Sequence, residues 1–392
     1  MNIKMKEEIK NPKIAFVLYS NVLWGSGLEK SALSYILYRP NDISKVIFAH
    51  SKIINGMKKR LDESVLNKIK EKSTIVEISN AYVKVEKIVV SMPIILRYII
   101  YYPSLFILKL TVYRNLYKKI DKPDIIYVFR NDFSFFFNKN NFIVGSTHGW
   151  YPSNYKLLNK INKITSILFR ENIKAYHTFP IWSQKVKEMF PNKKIIEVPN
   201  GIDTDKFKPI ERNDNKIKFL FVARLEKCKG IINLIKIWEQ FKDNDNLELD
   251  IVGSGTEEDY VKQKVIEMKN VIYHGTLNEN DLQKIYGECD IFVYPSLCDS
   301  SPLVILEALS SGCHVITTKY FLNRFKEFEE FGAISFCNND IKEFSNEIKK
   351  LINDFDKLRS EKETLHSIAS KNYDIRIVVK SLYEAIIESY KI

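Results

Sequence analysis

Several features that would assign a class at once are missing from this sequence. The five cysteines contain no CxxC pair, so free thiols in a reducing compartment are expected rather than a zinc site or a disulfide framework. Residues 1–13 hold no apolar run of the kind that begins a secretory signal. No uninterrupted apolar run reaches the roughly 18 residues that a spanning helix needs. We therefore expect a cytoplasmic protein, in which any membrane contact is peripheral at the inner face.

What the sequence does contain is enough residues for two domains and an uneven charge. Its 392 residues exceed one ordinary core, and 45% hydrophobic with 28% charged residues is a globular composition. Residues 1–180 hold 29 Lys/Arg and 13 Asp/Glu, a net charge of +16, and the remainder holds 31 and 35, a net charge of −4. The basic half could face nucleic acid, anionic lipid or a phosphorylated substrate, or could reflect a lysine-rich genome. No nucleic-acid motif is present, so we expect no nucleic-acid partner.

Short apolar runs alternate with helical stretches along most of the chain. Such alternation predicts parallel sheets covered by helices, here two doubly wound α/β domains of the Rossmann type in series. Residues 197–210, rich in Pro, Gly, Asn and Asp, are the expected link. We predict an N-terminal domain at 11–195, joined by the last helix (376–392), and a C-terminal domain at 196–375.

Ligands of open α/β sheets bind beyond the carboxyl ends of the strands, so the loops that follow strands carry the information. In "FVARLEKCKG" (221–230), Arg224 ends a strand and Lys229 stands just before a glycine and a helix. Two cations beside a helix N-terminus make an anion site. The alternative is a pair of solvated surface cations.

The stretch "PLVILEALSSG" (302–312) places the carboxylate of Glu307 within an apolar helix. A buried carboxylate needs partners, and a ribose diol would supply two hydroxyl donors. The alternative for Glu307 is a solvent-facing position. Ser301 is expected to cap this helix with Pro302 at its first position, and Asp299 lies eight residues before Glu307.

Two further loops lie in the basic half. Gly25 and Gly27 in "LWGSGLEKS" (23–31) would let the backbone approach a ligand, although the dinucleotide fingerprint is incomplete and an ordinary glycine turn is equally consistent. His148 in "GSTHGWYP" (145–152) ends a predicted strand, where it is either structural or functional.

Taken together, four of these segments resemble the GT-B glycosyltransferases, and within them the retaining family 4 that contains the "glycosyl transferases group 1" domain. "RLEKCKG" (224–230) resembles R-L-x-x-x-K-G, and "VPNGIDTDKF" (198–207) resembles P-N-G-[IV]-D-x-x-x-F. The region 290–316, which begins "DIFVYPS" and ends "PLVILEALSSGCHVI", resembles the block that holds the E-x7-E pair, and "GSGLEKS" (25–31) resembles a G-G-x-E loop. The resemblance implies two domains facing across a cleft.

The resemblance also assigns roles to residues. Arg224 and Lys229 would hold the donor diphosphate, Glu307 would bind the ribose, and Asp299 and His148 would lie near the transferred sugar. Arg224, Lys229, Asp299 and His148 are the predicted catalytic residues. The predicted donor-binding set is Gly25, Gly27, Arg224, Lys229, Gly253, Ser300, Ser301, Pro302, Leu303 and Glu307.

The sequence departs from the family pattern at four positions. Asp299 stands for the first Glu, Ser300 and Ser26 stand for glycines, and His314 stands for a proline. The changes at 299 and 300 weaken any inference about which sugar is bound, and the shorter carboxylate could reduce activity.

The implied function is retaining transfer of a hexose-type sugar from a UDP- or GDP-linked donor to a glycan or lipid-linked saccharide. We expect no cofactor, no metal and no protein nucleophile, and the D-x-D in "GIDTDKF" (201–207) is interpreted as a structural loop. The alternatives are a nucleotide-sugar epimerase of the same fold and a catalytically weak sugar-nucleotide or glycan-binding protein.

The most apolar part of the basic half is 88–119, which two prolines and several cations interrupt. Tyrosines and lysines around an apolar stretch favour interfacial binding to an anionic membrane surface. A buried helix pair in the N-terminal core is weighed evenly against it.

Overall fold

The computed structural model describes residues 11–24, 27–52, 64–147, 171–299 and 302–391. The chain divides into two compact units, residues 1–199 with 379–392 and residues 200–378. The corresponding sequence-based boundaries are 195/196 and 375/376, so the observed ones lie three or four residues later.

The N-terminal unit is built on a parallel sheet of seven strands among the described residues, in the order β3-β2-β1-β4-β5-β6-β7. The sheet grows outward in both directions from β1, which is the predicted doubly wound order, and its switch point lies between β1 and β4. The strands are β1 (Ile14–Val17), β2 (Val46–Ser51), β3 (Ser73–Ile78), β4 (Ile125–Val128), β5 (Phe142–Ser146), β6 (Ile173–Thr178) and β7 (Lys194–Glu197).

Helices pack around this sheet and close an aromatic core. Phe16, Tyr35, Tyr127 and Tyr383 are fully or almost fully buried, and the Tyr383 hydroxyl donates to the Tyr35 carbonyl over 2.9 Å. The helices described here are α1 (Gly27–Leu37), α2 (Ser64–Lys72), α3 (Ala81–Val90), α4 (Ile94–Leu110), α5 (Leu116–Lys119) and α6 (Pro180–Met189), with a 3-10 turn at Asn131–Phe136.

The C-terminal unit repeats the plan with six parallel strands in the order β10-β9-β8-β11-β12-β13. Its switch point lies between β8 and β11. The strands are β8 (Ile217–Val222), β9 (Leu247–Val252), β10 (Val271–Gly275), β11 (Ile291–Tyr294), β12 (His314–Thr318) and β13 (Ile334–Cys337).

A single apolar core fills the second unit, and it includes both faces of the central strands. All four residues of β11 are buried, as a strand covered on both faces requires. The helices are α7 (Ile231–Trp238), α8 (Glu258–Val265), α9 (Glu279–Glu288), α10 (Leu303–Ser310), α11 (Lys326–Phe331), α12 (Ile341–Asn353), α13 (Phe355–Ser360), α14 (Lys362–Asn372) and α15 (Ile375–Lys391). The last of them begins in the second unit and ends in the first.

The apolar segment at 88–119 contains the end of α3, all of α4 and all of α5, and α4 has two different faces. Leu105 and Leu108 are buried in the core of the N-terminal unit, whereas Ile99 and Leu110 are 64% and 71% exposed. One face of α4 is therefore buried in the core and the other is exposed to solvent, so neither the buried helix pair nor a wholly exposed segment describes it alone. Among the described residues, no helix combines the length and apolarity needed to cross a bilayer.

Candidate functional site

The switch point of the C-terminal sheet is where its loops come closest together. Gly230 has φ +82°, and a Cβ there would lie 2.1 Å from the Pro295 carbonyl oxygen. Gly253 has φ +134°, and its Cβ would lie 1.8 Å from the Ala223 carbonyl oxygen. Only glycine fits such backbone contacts. The loops after β8, β9 and β11 are thus locked against one another at the predicted ligand edge.

An ion pair joins two of these loops. The Lys229 Nζ lies 2.6 Å from Oδ2 of Asp299, and Lys229 is only 7% exposed. Tyr294, the last residue of β11, donates its hydroxyl to the same carboxylate. Two of the predicted catalytic residues, Lys229 and Asp299, are therefore adjacent, and Tyr294 is a second partner of the Asp299 carboxylate.

Arg324 supports the same loop from the segment that follows β12. Its guanidinium donates to the Asp299 carbonyl over 2.7 Å and to the Tyr320 carbonyl over 2.8 Å, and it stacks on the rings of Tyr320 and Phe321. Sequence reasoning missed both Tyr294 and Arg324. The strand-end position of Tyr294 was a usable signal, whereas no motif marks Arg324.

Arg224 lies at the same edge but differs from Lys229 in its surroundings. Its side chain is 59% exposed and is paired with Glu226, two residues away. An exposed pair of this kind contributes little to stability and is easily exchanged for another anion. The structure therefore places the two predicted cations on one loop, one buried and paired across loops, the other in contact with solvent.

Glu307 is buried in α10 at 8% exposure, as the apolar sequence around it predicts. Its partner is internal, because Tyr286 lies beside it. Burial, and then the charge and hydrogen bond of Glu307, raise the pKa of the Tyr286 hydroxyl well above its usual value. The Tyr286 hydroxyl, which also lies 3.4 Å from the Val304 carbonyl oxygen, therefore stays protonated beside this carboxylate, and burial of Glu307 alone does not require a ribose.

The helix that carries Glu307 begins one residue later than predicted. Pro302 occupies the position before the first helical residue, Leu303, instead of the first helical position. Pro302 and Leu303, both in the predicted donor-binding set, therefore lie at the end of the loop that follows β11. The predicted cap, Ser301, and Ser300 before it lie outside the described residues, as do Gly25, Ser26 and His148.

Gly27 begins α1, and a Cβ there would meet nothing within 4 Å. The protein's own packing therefore does not demand this glycine. His314, at the position of the family's proline, is buried in β12 with its Nε2 3.1 Å from Glu361. Burial lowers its pKa and the Glu361 carboxylate opposes that shift.

The D-x-D segment has partners that explain it structurally. Thr204 donates to Asp374 over 2.6 Å, and Arg376 is paired with both Asp205 and Asp374. These bonds fasten the start of the second unit to its end. Within the described part of the chain, no group of three or more His, Cys, Asp or Glu residues is arranged to hold a metal ion.

The prediction of five free thiols is wrong for two of them. Cys228 and Cys298 form a disulfide with Cα atoms 5.7 Å apart, whereas Cys289, Cys313 and Cys337 are free and buried. The two bonded cysteines are 70 residues apart, so no short spacing could reveal them. They meet because their loops follow the neighbouring strands β8 and β11.

The N-terminal sheet has a charged cluster at its own switch point, which sequence reasoning also missed. Arg130, two residues after β4, is paired with Glu86 and lies 3.6 Å from the Asp132 carboxylate. The rings of Tyr19 and Tyr82 lie 5.4 and 5.7 Å from its guanidinium. This cation is thus enclosed by internal partners.

An exposed apolar stripe covers the outer face of α3 and α4. Ile99, Phe106 and Leu110 recur at helical spacing on α4, and their side chains are more than half exposed. Residues 81–119 contain seven Lys/Arg and one acid, Glu86, giving a net charge of +6. Among the residues whose exposure is described, the stripe consists of Ile88, Leu96, Ile99, Ile100, Phe106, Ile107 and Leu110.

A comparison with known families finds a match for residues 203–365. This segment, which lies within the second unit, matches the family described as glycosyl transferases group 1.

Two curated relatives match the chain over less than half of its length. An uncharacterized glycosyltransferase of Methanocaldococcus jannaschii is 25% identical over 193 residues, 45% of this chain and 49% of that protein. The UDP-Gal:alpha-D-GlcNAc-diphosphoundecaprenol alpha-1,3-galactosyltransferase of Escherichia coli is 32% identical over 179 residues, 41% of this chain and 46% of that protein. The chain thus matches about half the length of these relatives.

A solved structure matches nearly the whole chain. The Anabaena protein HepE, in complex with UDP and glucose, superposes with a TM-score of 0.66, covering 95% of this chain and 98% of that one at 18% identity. At that identity the likeness shows the fold, and the predicted GT-B class of two parallel-sheet α/β domains is confirmed.

Proposed function

We propose that this protein, a GT-B chain whose second unit belongs to the glycosyl transferases group 1 family, is a retaining hexosyltransferase that uses a nucleotide-sugar donor. The donor would be UDP- or GDP-linked, and the acceptor a glycan or a lipid-linked saccharide. The UDP in the HepE complex and the diphosphoundecaprenol in the name of the E. coli relative support these two classes. Glucose is bound in the HepE complex and galactose is in the name of the E. coli relative, so the two do not point to the same sugar.

The observation that carries the proposal is the position of Lys229. Its ammonium lies at the carboxyl edge of a doubly wound sheet, beside the switch point, on a loop that leads into α7. This is the place where such sheets bind ligands. As the bond to the sugar breaks, negative charge grows on the leaving diphosphate. A fixed cation in a site shielded from water stabilises that charge more than it stabilises the bound donor.

Because Lys229 is paired with Asp299, the donor would have to break this ion pair when it binds. The diphosphate would draw Lys229 away from Asp299 and recruit the exposed Arg224 as a second cation, since a guanidinium can hold two phosphate oxygens at once. Asp299, still held by Tyr294, would then be free to accept hydroxyl donors of the sugar. Glu307 would accept the ribose hydroxyls next to Tyr286.

The transfer itself would need no protein nucleophile and no metal. The acceptor hydroxyl would attack from the face that the diphosphate leaves, its proton would pass to the leaving phosphate oxygen, and configuration at the anomeric carbon would be kept. Turnover would then persist in EDTA. An α-linked donor that gives a β-linked product would contradict retention.

Substitution of Lys229 is the direct test. Lys229→Ala should lower turnover by about 10²–10³-fold, the usual cost of losing one preorganised group that binds transition-state charge. Lys227→Ala is the matched control, because Lys227 is an exposed lysine two residues away on the same turn, and it should stay within a few-fold of wild type. Equal activity in both variants would refute the assignment. A panel of UDP- and GDP-sugars, screened first by thermal shift, selects the donor.

The same panel separates the alternative functions. A nucleotide sugar that stabilises the protein but is neither hydrolysed nor transferred would favour a binding protein. Conversion of the donor into its epimer would favour the epimerase.

The proposed partner of the N-terminal unit is an anionic bilayer. The exposed stripe on α3 and α4 offers aliphatic side chains, and the cations around it outnumber acids by six. Apolar insertion combined with lysine contacts to acidic headgroups is the usual mode of peripheral binding. A lipid-linked acceptor would be presented at such a surface.

Liposome flotation tests this partner. Wild type should float with vesicles that contain phosphatidylglycerol, less so with neutral vesicles, and binding should weaken as salt rises. The double variant Ile99→Ser/Leu110→Ser should lose flotation, whereas Ile266→Ser/Ile272→Ser, exposed in the other unit, should not. Flotation unchanged in the first variant would refute the surface.

A further inference from the structure

The disulfide lies at a particular place in the C-terminal unit. Cys228 directly precedes Lys229, and Cys298 directly precedes Asp299. The covalent bond therefore joins the two residues that stand immediately before the two partners of the ion pair, whose charged atoms are 2.6 Å apart. Breaking or forming this disulfide therefore changes the chain one residue away from Lys229 and one residue away from Asp299.

Other contacts already hold the two loops together. The Leu297 amide donates to the Cys228 carbonyl over 3.0 Å, and Gly230 packs against the Pro295 carbonyl. The loops therefore stay adjacent without the disulfide. Reduction changes only how freely residues 298 and 299 move relative to 228 and 229, because it replaces a covalent bond with a van der Waals contact.

Reagents in solution can reach the bond. Cys228 is exposed and Cys298 is half-buried, whereas the free thiols of Cys289, Cys313 and Cys337 are buried. Access and thiolate character decide which cysteines exchange. The pair is thus the chemically addressable one among the five cysteines.

We propose that Cys228 and Cys298 form a reversible modification site for small thiols and disulfides, and that the disulfide weakens donor binding by holding Lys229 against Asp299. The inference rests on the proposed function, because it concerns the same diphosphate site. In the oxidised form the donor must compete with a carboxylate that the bond keeps in place. In the reduced form the Asp299 loop can withdraw and release the lysine.

The exchange balances without any further reactant. A thiolate of a small thiol attacks Sγ of Cys228 and forms a mixed disulfide, and Cys298 leaves as a thiolate that takes up a proton. A second thiol then attacks the mixed disulfide, which releases Cys228 as a thiol and the reagent as its own disulfide. Two electrons and two protons pass from two thiols to the protein. Oxidised glutathione reverses the reaction.

The experiment compares one protein in two states. Wild type is equilibrated with reduced or oxidised glutathione, and the state of the pair is counted by alkylation and mass spectrometry as two added groups or none. The affinity for UDP and GDP is then measured in each state. We expect nucleotide to bind about tenfold more tightly to the reduced form.

The cysteine variants test whether the response belongs to this pair. Cys228→Ser and Cys298→Ser should bind like the reduced wild type and lose the redox response. Cys337→Ala removes a buried free thiol and should keep the response.

Thermodynamic linkage between nucleotide binding and reduction supplies a second measurement, which does not require a comparison of separately prepared oxidised and reduced protein. If the reduced form binds tenfold more tightly, a saturating nucleotide must favour reduction by the same factor, which raises the midpoint potential of the pair by about 30 mV. Equal affinity in the two states, tighter binding to the oxidised form, or an unchanged midpoint would refute the inference. Failure of every nucleotide to bind in either state would instead refute the proposed function itself.

Discussion

Each sheet carries a cation at the carboxyl edge beside its switch point, after β8 in the C-terminal sheet and after β4 in the N-terminal sheet, and the two are surrounded differently. In the C-terminal unit, Lys229 has one carboxylate partner among the described residues, Asp299, and the loop that holds Lys229 leads into a helix. In the N-terminal unit, Arg130 has two carboxylates, Glu86 and Asp132, and the faces of two tyrosine rings. The first cation can exchange its single partner for a ligand, whereas the second is neutralised within its own unit.

The comparison teaches that a position at the carboxyl edge of a doubly wound sheet does not by itself make an anion site. Whether such a position binds an anion depends on the number of cations relative to carboxylates and on how accessible the cations are to a ligand. We therefore expect substitutions at the C-terminal edge to change donor binding, and substitutions at the N-terminal edge to change stability.

The largest loss of stability should come from adding a methyl group at Gly230, where the loops at the C-terminal edge approach each other. Gly230→Ala adds a Cβ that would meet the Pro295 carbonyl, and it also forces φ +82° on alanine. We expect a loss of about 3 kcal/mol in the free energy of unfolding, with donor affinity lost as well. Urea unfolding and nucleotide titration measure the two.

Gly332→Ala is the control for that variant. It has φ +84°, yet its Cβ would meet nothing within 4 Å, so it carries the backbone cost alone, about 1 kcal/mol. If the two variants lose the same stability, the close approach of the loops at Gly230 is not what sets the cost.

At the N-terminal edge, Arg130→Ala should cost about 2 kcal/mol of stability because it leaves Glu86 and Asp132 without their cation. This is less than a fully buried pair would cost, since the arginine side chain is 32% exposed. Nucleotide affinity should stay within twofold. Loss of affinity without loss of stability would reverse the contrast drawn between the two edges.

A pH experiment isolates the core of the N-terminal unit. Burial lowers the pKa of His177 to about 4, and its Nδ1 lies 2.6 Å from the Tyr127 hydroxyl. A base with a lowered folded pKa stabilises the fold above its unfolded pKa, near 6.5, and that stability is lost as pH falls toward 4. Between pH 7 and 5 wild type should lose about 2 kcal/mol more than His177→Gln, measured by urea unfolding at each pH. Parallel losses would contradict the buried neutral form.

The smallest effect concerns Tyr294, the second partner of the Asp299 carboxylate. Tyr294→Phe removes one hydrogen bond to the carboxylate, worth about 1 kcal/mol, so KM for the donor should change about fivefold. Tyr373→Phe removes a comparable bond to Glu327 elsewhere in the same unit and should leave KM unchanged. Steady-state kinetics distinguishes a positioning role from a merely structural one.

Much of the fold follows from the sequence because parallel strands buried on both faces are short apolar runs. The apolar runs "KIAFVLY" (13–19) and "DIFVYPS" (290–296) contain β1 and β11. Sequence reasoning missed β6, β7 and β13, since "IKAYHT" mixes polar residues among apolar ones, and "KIIE" and "ISFC" have only four residues each. Pairing across the sheet, not local pattern, stabilises them.

The candidate site divides in the same way. Lys229 and Asp299 stand in contiguous motifs, and the chain brings them together as the strand order requires. Cys228 with Cys298, and Arg130 with Glu86, are pairs separated by tens of residues with no shared motif. The neighbouring strands β8 and β11 bring the two cysteines together, and a contact between α3 and the residues after β4 brings Glu86 to Arg130. No single stretch of sequence encodes either contact.

The bonds between the first and last residues of the second unit have a consequence for biosynthesis. Ile202 and Asp374 form a bridge, and Arg376 is tied to Asp205, so this unit closes on itself as an insert with neighbouring ends. During synthesis this unit could fold completely before residues 379–391, which belong to the first unit, have been made. The part of the chain that is made first would thus be the last to complete its fold.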